Sequence, residues 1–299
     1  MKTNRGTNTG AENINFWQER YGQKAGESPM VSRVHGQSSF ASQGAAGYTI
    51  NQDGSTSGNN ILVHSIRCLQ TQEDSDNAVM ELFDNSTNAT DMTAASKKLR
   101  FLCNAQNFKN SIVQFEFPIP MLLVNGGRVY RADGDTSGPM ISICYTVLNS
   151  KGDIDPLKDI FLQSACQSND AAITSVVTDS DTEVLGVFIN NTFRHEGDGN
   201  AYTQVNIRNG DNSTRATIFS NEMWTDRIST GDKDYELDSS DPVHWFSYPV
   251  HCKNGLKIWN TGSEDSDNDD DGNSLTADET YSTVFYRKLN SKGLSYGWT

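Results

Sequence analysis

Alternating carboxylates close to the C-terminal end are the residues of this chain whose spacing best fits a chemical site. Three aspartates occupy every second position of an acidic run: Asp267, Asp269 and Asp271. Calcium loops use this spacing, because alternate carboxylates can converge on one hard cation while a following glycine, here Gly272, allows a sharp turn. Asp278, however, stands where such a loop has a glutamate. We therefore expect a solvated acidic loop and no cofactor, with calcium binding as the alternative.

A second stretch has the composition of a nucleophile loop. Residues 134–139, G-D-T-S-G-P, resemble the G-D-S-G-G-P loop of chymotrypsin-like proteases, but Thr136 stands at the serine position. A triad also needs a histidine and a buried aspartate beside that oxygen, and His35 and His64 have no recognisable flanking motif. The histidines lack metal-ligand spacing, and no phosphate loop, dinucleotide fingerprint or G-x-S-x-G elbow occurs. We therefore expect no enzymatic activity.

The elements that must position these residues form a unit that occurs twice. Residues 115–130 contain a stretch that returns as residues 245–259 at an offset of 129 (254 minus 125), so that Asn125-Gly126 aligns with Asn254-Gly255. Each copy contains an apolar stretch with a proline, an Asn-Gly pair and a second stretch with a basic residue and an aromatic. Asn-Gly tolerates the positive φ of tight turns between strands. The pattern predicts one β-hairpin in each copy.

The match extends in both directions and indicates an all-β fold. Residues 79–85 resemble residues 204–210, and residues 141–147 resemble residues 282–288 with Tyr145 on Tyr286. Short strands at roughly 8–12-residue spacing, separated by turn residues, are typical of antiparallel sandwiches and jelly rolls. We predict two tandem antiparallel β-sandwich or jelly-roll-like domains that arose by internal duplication. In the first strand, Leu62, His64, Ile66 and Cys68 should share one face.

Five segments follow from this alignment. Residues 1–58 lack apolar periodicity and are predicted to be an extended N-terminal arm, with three aromatic assembly contacts: Phe16, Trp17 and Tyr21. Residues 59–150 and 175–290 should form the two sandwiches. Residues 151–174 should be a linker with a short helix that starts at Asp155 and Pro156. Residues 291–299 should be a polar tail.

Composition excludes several partners. The net charge of -14 disfavours direct contact with nucleic acid or an anionic membrane surface. The N-terminal residues show no signal-peptide core, so we expect assembly in a host cytoplasm. The five cysteines contain no C-x-x-C pair, and the repeat aligns Cys144 with Phe285 and Cys252 with Leu123. We expect them to be buried as small hydrophobic residues.

These features together resemble the β-sandwich virion proteins of tailed bacteriophages. The resemblance rests on elements that correspond to three patterns of that family. They are a strand that ends in an Asn or Gly turn (79–87 and 205–210), an F-P-x-x-x-x-N-G-x-x-V hairpin, here with a longer spacer (117–129 and 246–258), and a closing V-x-Y strand (143–145 and 284–286). It implies a non-enzymatic virion subunit that forms homo-oligomers and contacts other virion proteins. We favour capsid decoration, with a neck or tail protein as the alternative and a double-barrel major capsid protein ranked lower. A carbohydrate-binding module is the competing class, because three aromatics could stack on sugars: Trp224, Trp259 and Tyr130.

Overall fold

The computed structural model describes residues 32–37, 47–50, 60–70, 78–85, 96–103, 111–131, 140–147, 161–168, 174–178, 180–191, 201–210, 217–225, 243–264 and 280–289. Every regular element in these ranges is a β-strand. The first eight strands are β1 (Ser32–Gln37), β2 (Tyr48–Thr49), β3 (Ile61–Gln70), β4 (Ala78–Phe83), β5 (Lys97–Cys103), β6 (Ser111–Leu123), β7 (Arg128–Arg131) and β8 (Met140–Val147). The next eight are β9 (Gln163–Ser168), β10 (Thr174–Thr178), β11 (Thr182–Asn191), β12 (Ala201–Asn209), β13 (Thr217–Thr225), β14 (His244–Cys252), β15 (Gly255–Glu264) and β16 (Thr280–Lys288). The predicted all-β class is confirmed.

The strands form four antiparallel sheets of four strands each. Sheet I has the order β1-β8-β3-β6 and sheet II the order β2-β7-β4-β5. Sheet III has the order β9-β16-β11-β14 and sheet IV the order β10-β15-β12-β13. Adding eight to each strand number of sheets I and II gives sheets III and IV. We call β1–β8 the first sandwich and β9–β16 the second; eight strands in two sheets is the jelly-roll architecture.

The pairing register follows the offsets of the sequence repeat. Leu82 pairs with Val129 in the first sandwich, and Ile207 pairs with Ile258 in the second. Val63 pairs with Tyr145, and Val184 pairs with Tyr286. Equal strand order and equal register are what a duplication predicts. Common ancestry of the two halves stays a prediction, because geometry alone does not test descent.

A β-bulge at His64 alters the predicted faces of β3. The register shifts between Val63 and Ser65, and again at the equivalent place between Val184 and Gly186. A bulge adds one residue to a strand and so exchanges the faces that follow it. The core side chains of β3 are therefore Ile61, Val63, Ile66 and Cys68. The prediction that Leu62 and His64 share a face with Ile66 and Cys68 is wrong for this reason.

The Asn-Gly turns also differ from the predicted hairpins. Strand β6 pairs with β3 in sheet I, whereas β7 pairs with β4 in sheet II, and the same holds for β14 and β15. Both turns thus carry the chain from one sheet to the other, because long-range pairing of each strand decides its sheet. Positive φ is nevertheless present, at 80° for Gly126, 57° for Asn254 and 105° for Gly255.

Each turn is held by a carboxylate from a different element. The Asn125 amide donates to Asp84 Oδ1 at 2.7 Å, and the Asn254 amide donates to Asp181 Oδ1 at 3.0 Å. Asp84 follows β4, while Asp181 precedes β11. The two halves therefore fix the same turn by separate solutions.

We expect Asn254→Val to destabilise the fold by about 1–2 kcal/mol, because a β-branched side chain is strained in the left-handed region that Asn254 occupies at φ 57°. Asn254→Gly is the matched control and should leave the free energy of unfolding unchanged or slightly higher. Urea denaturation monitored by tryptophan fluorescence measures both variants. Equal stability of the two variants would contradict the turn geometry.

Two predicted boundaries need correction. Strands β1 and β2 lie inside the predicted arm of residues 1–58, yet β1 pairs with β8 and β2 pairs with β7. Strand β9 lies inside the predicted linker of residues 151–174 and pairs with β16. The predicted helix falls mostly outside the described residues, but Leu162 forms a parallel bridge with Met121. Short polar edge strands have little apolar periodicity of their own, so only their pairing with neighbouring strands identifies them as strands.

Candidate functional site

Two large bulges at equivalent edge positions form the candidate assembly site. In β6, four residues (117–120) lie opposite the single residue His64, because Val63 pairs with Met121 and Ser65 pairs with Glu116. In β14, residues 246–249 lie opposite Leu185 in the same way. We call these segments the β6 bulge, F-P-I-P, and the β14 bulge, F-S-Y-P. The prolines suit an outer strand, where their missing N–H breaks no ladder bond.

The second sandwich and the segment before it cover the β6 bulge. Leu162 N donates to Pro120 O at 3.1 Å, and Leu122 N donates to Leu162 O at 2.9 Å. Phe161 and Leu162 are fully buried, and Ser164 Oγ lies 3.2 Å from Met121 Sδ. The chain therefore pairs with β6 of the first sandwich immediately before it becomes β9 of the second.

The outer face of sheet III closes the same side of the first sandwich. Strands β9, β11 and β16 lie against β5, and β9 also lies against β6. Phe188 contacts Phe115 with ring centroids 5.1 Å apart, and Phe115 contacts Phe101 at 5.1 Å. Phe285 contacts Phe117 at 5.6 Å. We call this contact the interdomain interface.

A tryptophan completes the aromatic group of this interface. Trp245 lies 5.1 Å from Phe285 and 6.4 Å from Phe117 between ring centroids. Its ring lies across Gly186, where a Cβ atom would come within 2.5 Å of the indole. The interface thus requires a residue without a side chain opposite Trp245.

The β14 bulge has no such cover among the described residues. Tyr248 is 86% exposed, and its neighbours Ser247 and Pro249 are exposed too. Ile119, the equivalent of Tyr248 in the β6 bulge, packs against the first core. The same edge is therefore partly covered in one sandwich, with Phe117 buried and Pro118 exposed, and open in the other.

The sequence distinguishes the covered surfaces from their open equivalents. The apolar members of the outer face of sheet III are Leu185, Phe188, Trp245 and Phe285. The register places their counterparts on sheet I at His64, Arg67, Glu116 and Cys144. Arg67 and Glu116 are exposed, and Cys144 is half-buried. The apolar residues are present only on the face that the other sandwich covers.

A charged cluster lies at the rim of the interdomain interface. Glu81 Oε1 is 2.6 Å from Lys97 Nζ and 3.6 Å from Arg100 Nη1, and Glu81 is only 5% exposed. The charges of Lys97, Glu81 and Arg100 also act on the thiol of Cys166 in β9. Burial nevertheless raises the pKa of the Cys166 thiol to about 11, and burial raises the pKa of Cys252 to about 12. Neither thiol is a nucleophile at neutral pH, since reactivity needs the thiolate.

The histidine at the β3 bulge has a structural role. His64 Nε2 lies 2.7 Å from Thr146 Oγ1, and burial lowers the pKa of the imidazole. His64 is therefore neutral at neutral pH. Among the described residues, no group of three or more His, Cys, Asp and Glu side chains could hold a metal ion. No helix in the described ranges is long and apolar enough to span a membrane.

Several predicted site residues fall outside the described part of the chain. These are the aromatics Phe16, Trp17 and Tyr21 and the aspartates Asp267, Asp269 and Asp271, so the arm contacts and the calcium alternative stay predictions. The four turn residues are described: Asn125, Gly126, Asn254 and Gly255. They are not part of the candidate assembly site, which the sequence did not predict. The signal was present as the apolar Trp245 aligned with the charged Glu116, and the large Phe285 aligned with the small Cys144.

Comparisons with known proteins identify no family. No family model matches the chain, and no curated protein matches it. One similar solved structure is that of infectious bursal disease virus, Gx strain, at 9% identity and a TM-score of 0.16, covering 86% of this chain and 77% of that one. Another is the crystal structure of the infectious bursal disease virus VP2 subviral particle, at 7% identity and a TM-score of 0.15, covering 89% and 78%. Such scores carry no argument about this fold or its role.

Proposed function

We propose that this chain is a non-enzymatic structural subunit of a virion. The observation that carries the proposal is the tandem pair of jelly rolls with one bulged edge covered and the equivalent edge open. Jelly rolls are common in viral capsid and lectin domains. One bulged edge is bound within the chain, and the equivalent edge can bind another chain. This arrangement suits a repeating assembly.

Within that role we favour capsid decoration in a tailed bacteriophage, with a neck or tail position as the alternative. The net charge of -14 supports an outer location without contact to packaged DNA. The described residues contain no metal cluster, and the described pKa shifts disfavour thiol chemistry. Homo-oligomers and contacts with other virion proteins belong to the same proposal.

A shell-forming subunit is the second candidate. The first sandwich runs from Ser32 to Val147 and the second from Gln163 to Lys288, so both are longer than the sequence repeat suggested. A double-barrel major capsid protein ranks lower from the sequence because repeats of roughly 90–110 residues are small for that role, and complete eight-stranded jelly rolls weaken this argument. The carbohydrate-binding alternative has less support, because Tyr130 is half-buried in β7.

Mass spectrometry of gradient-purified particles from cells that carry this gene tests the proposal. We expect the chain to co-purify with the shell at a fixed copy number. Particles treated with mild denaturant then separate the two candidates: a decoration protein leaves an intact shell behind, whereas loss of a shell subunit disrupts the particle. Absence of the chain from purified particles, with a specific signal on a glycan array, would favour the carbohydrate-binding module instead.

A further inference from the structure

The edge of β14 has the backbone arrangement that binds a segment at β6. At β6 the two groups involved are Pro120 O, which accepts from Leu162 N, and Leu122 N, which donates to Leu162 O. The offset of 129 places Pro249 and His251 at the same positions of β14, and Val250 pairs with Val184 as Met121 pairs with Val63. Since alternate residues of a strand direct their backbone groups to opposite sides, Pro249 O and His251 N face the outer edge.

The register also identifies the segment that corresponds to Leu162. In β9, Gln163 pairs with Tyr286; in β1, Arg33 pairs with Tyr145, the equivalent tyrosine. Ser32, the first residue of β1, is therefore the counterpart of Leu162. Ser32 therefore stands at the start of the first jelly roll as Leu162 stands at the start of the second.

The β1 strand of the same molecule does not occupy this position. Strand β1 forms the edge of sheet I opposite to β6, and the second sandwich packs at the β5 and β6 side. Three strand spacings of about 4.8 Å separate β1 from β6. Strand β1 of the same molecule is therefore not the occupant, whereas β1 of a second molecule is free to approach this edge.

We propose that the β14 edge binds the start of β1 from a second copy of this chain. The backbone N–H of Ser32 of the second copy donates to Pro249 O, and the Ser32 backbone O accepts from His251 N, in a parallel bridge. The contact that joins the two sandwiches within one molecule is thereby repeated between two molecules. The inference rests on the proposed role as a self-assembling subunit and names its contact surface. Because the surfaces involved are different, the contact is heterologous and repeats into a closed ring or a filament.

The side chains around this contact fit an association that depends on concentration. In the proposed contact, the outer face of sheet I of the second copy lies against the neighbouring molecule. This face carries Arg67 and Glu116 at the positions where sheet III carries Phe188 and Trp245. Polar surfaces are typical of contacts between chains that must also exist separately in water. The exposed Tyr248 supplies an aromatic anchor, which is the residue type enriched at such interfaces.

Replacement of His251 by proline tests the proposal in the full-length chain. The variant His251→Pro lacks the N–H that would donate to Ser32 O, and an outward-facing position of an edge strand tolerates proline. His251→Ala is the matched control, because it keeps the N–H and removes the imidazole that lies 3.4 Å from Asp181 Oδ2. We expect self-association measured by sedimentation velocity to weaken by about tenfold or more in the proline variant. The alanine variant should associate like the wild type.

A second pair keeps the test decisive if His251→Pro fails to fold. Ser32→Pro removes the N–H on the occupant side, and Ser32→Ala keeps it. Wild-type association in both proline variants would overturn the inference. A wild-type chain that is found in particles but stays monomeric at all concentrations would overturn the inference while the proposed function stands. Absence from particles would instead overturn the proposed function.

Discussion

Replacement of Phe285 by alanine should lower the free energy of unfolding by about 3–5 kcal/mol, the usual range for loss of a buried phenylalanine. Phe285 is fully buried, and its ring contacts Phe117 of the first sandwich and Trp245 of the second. Removal of the ring leaves a cavity at the interdomain interface, which the surrounding strands can fill only in part. Urea denaturation with tryptophan fluorescence measures the loss.

The repeat provides a matched control for this variant. Cys144 occupies the equivalent position on sheet I, where it is half-buried and is not covered by the other sandwich in the described structure. Cys144→Ala should cost less than about 1 kcal/mol, since few contacts are lost at a partly exposed position. Equal losses of unfolding free energy in the two variants would show that contact with the first sandwich does not explain the apolar outer face of sheet III.

Replacement of Glu81 by glutamine should cost about 3–5 kcal/mol, because it removes the charge of a buried carboxylate that faces two largely covered cations. The side chains of Lys97 and Arg100 are 13% and 14% exposed, so water screens them weakly. Glutamine keeps the shape of the residue and removes only the charge. Thermal and urea unfolding at low and moderate salt measure the effect, which should change little with salt.

An ion pair on sheet III with a more exposed carboxylate is the control for Glu81. Arg287 Nη2 lies 2.7 Å from Glu183 Oε2, and the Arg287 and Glu183 side chains are 11% and 23% exposed, whereas the side chain of Glu81 is 6% exposed. Glu183→Gln should cost less than Glu81→Gln and should respond more strongly to salt, because the Glu183 carboxylate is more exposed to water than that of Glu81. A loss as large as that of Glu81→Gln would contradict the assignment of the Glu81 cluster to a buried rim.

The parts of the fold that the sequence predicts are those with strong alternation of apolar residues. Strands such as β3, β8 and β16 carry enough core side chains to be recognised, and the repeat aligned β8 with β16. Strands β1, β2 and β9 escaped prediction because they are short and have no apolar alternation of their own. Gln163–Ser168, Q-S-A-C-Q-S, has no apolar pattern that would mark it as a strand.

The sheet assignment of the Asn-Gly turns could not be predicted for a different reason. A positive φ at Gly126 or Gly255 is a local property, and the sequence indicated it correctly. Whether the next strand returns to the same sheet depends on β3 and β4, which lie about 40–60 residues away along the chain (125 minus 84 gives 41 for Asp84). Local turn chemistry therefore gives the bend but not the topology.

The candidate site could be found only by comparing the two halves. Neither F-P-I-P nor F-S-Y-P suggests a contact surface when it is read alone. The difference becomes visible once the register shows that Ile119 is packed against the core and Tyr248 is exposed. In a repeated sequence, the contacts of one copy therefore indicate which contacts the equivalent surface of the other copy can form.

Pairing between β1 and β8 has a consequence for synthesis on the ribosome. Ser32 pairs with Thr146, so the first sandwich cannot close until the strand that ends at Val147 has emerged. Leu162 follows 15 residues later (162 minus 147), which at typical translation rates takes about 1–3 s. During that interval the β6 edge of the nascent chain is as accessible as the β14 edge of the finished protein. We therefore expect slow elongation through this region to increase strand exchange between neighbouring nascent chains.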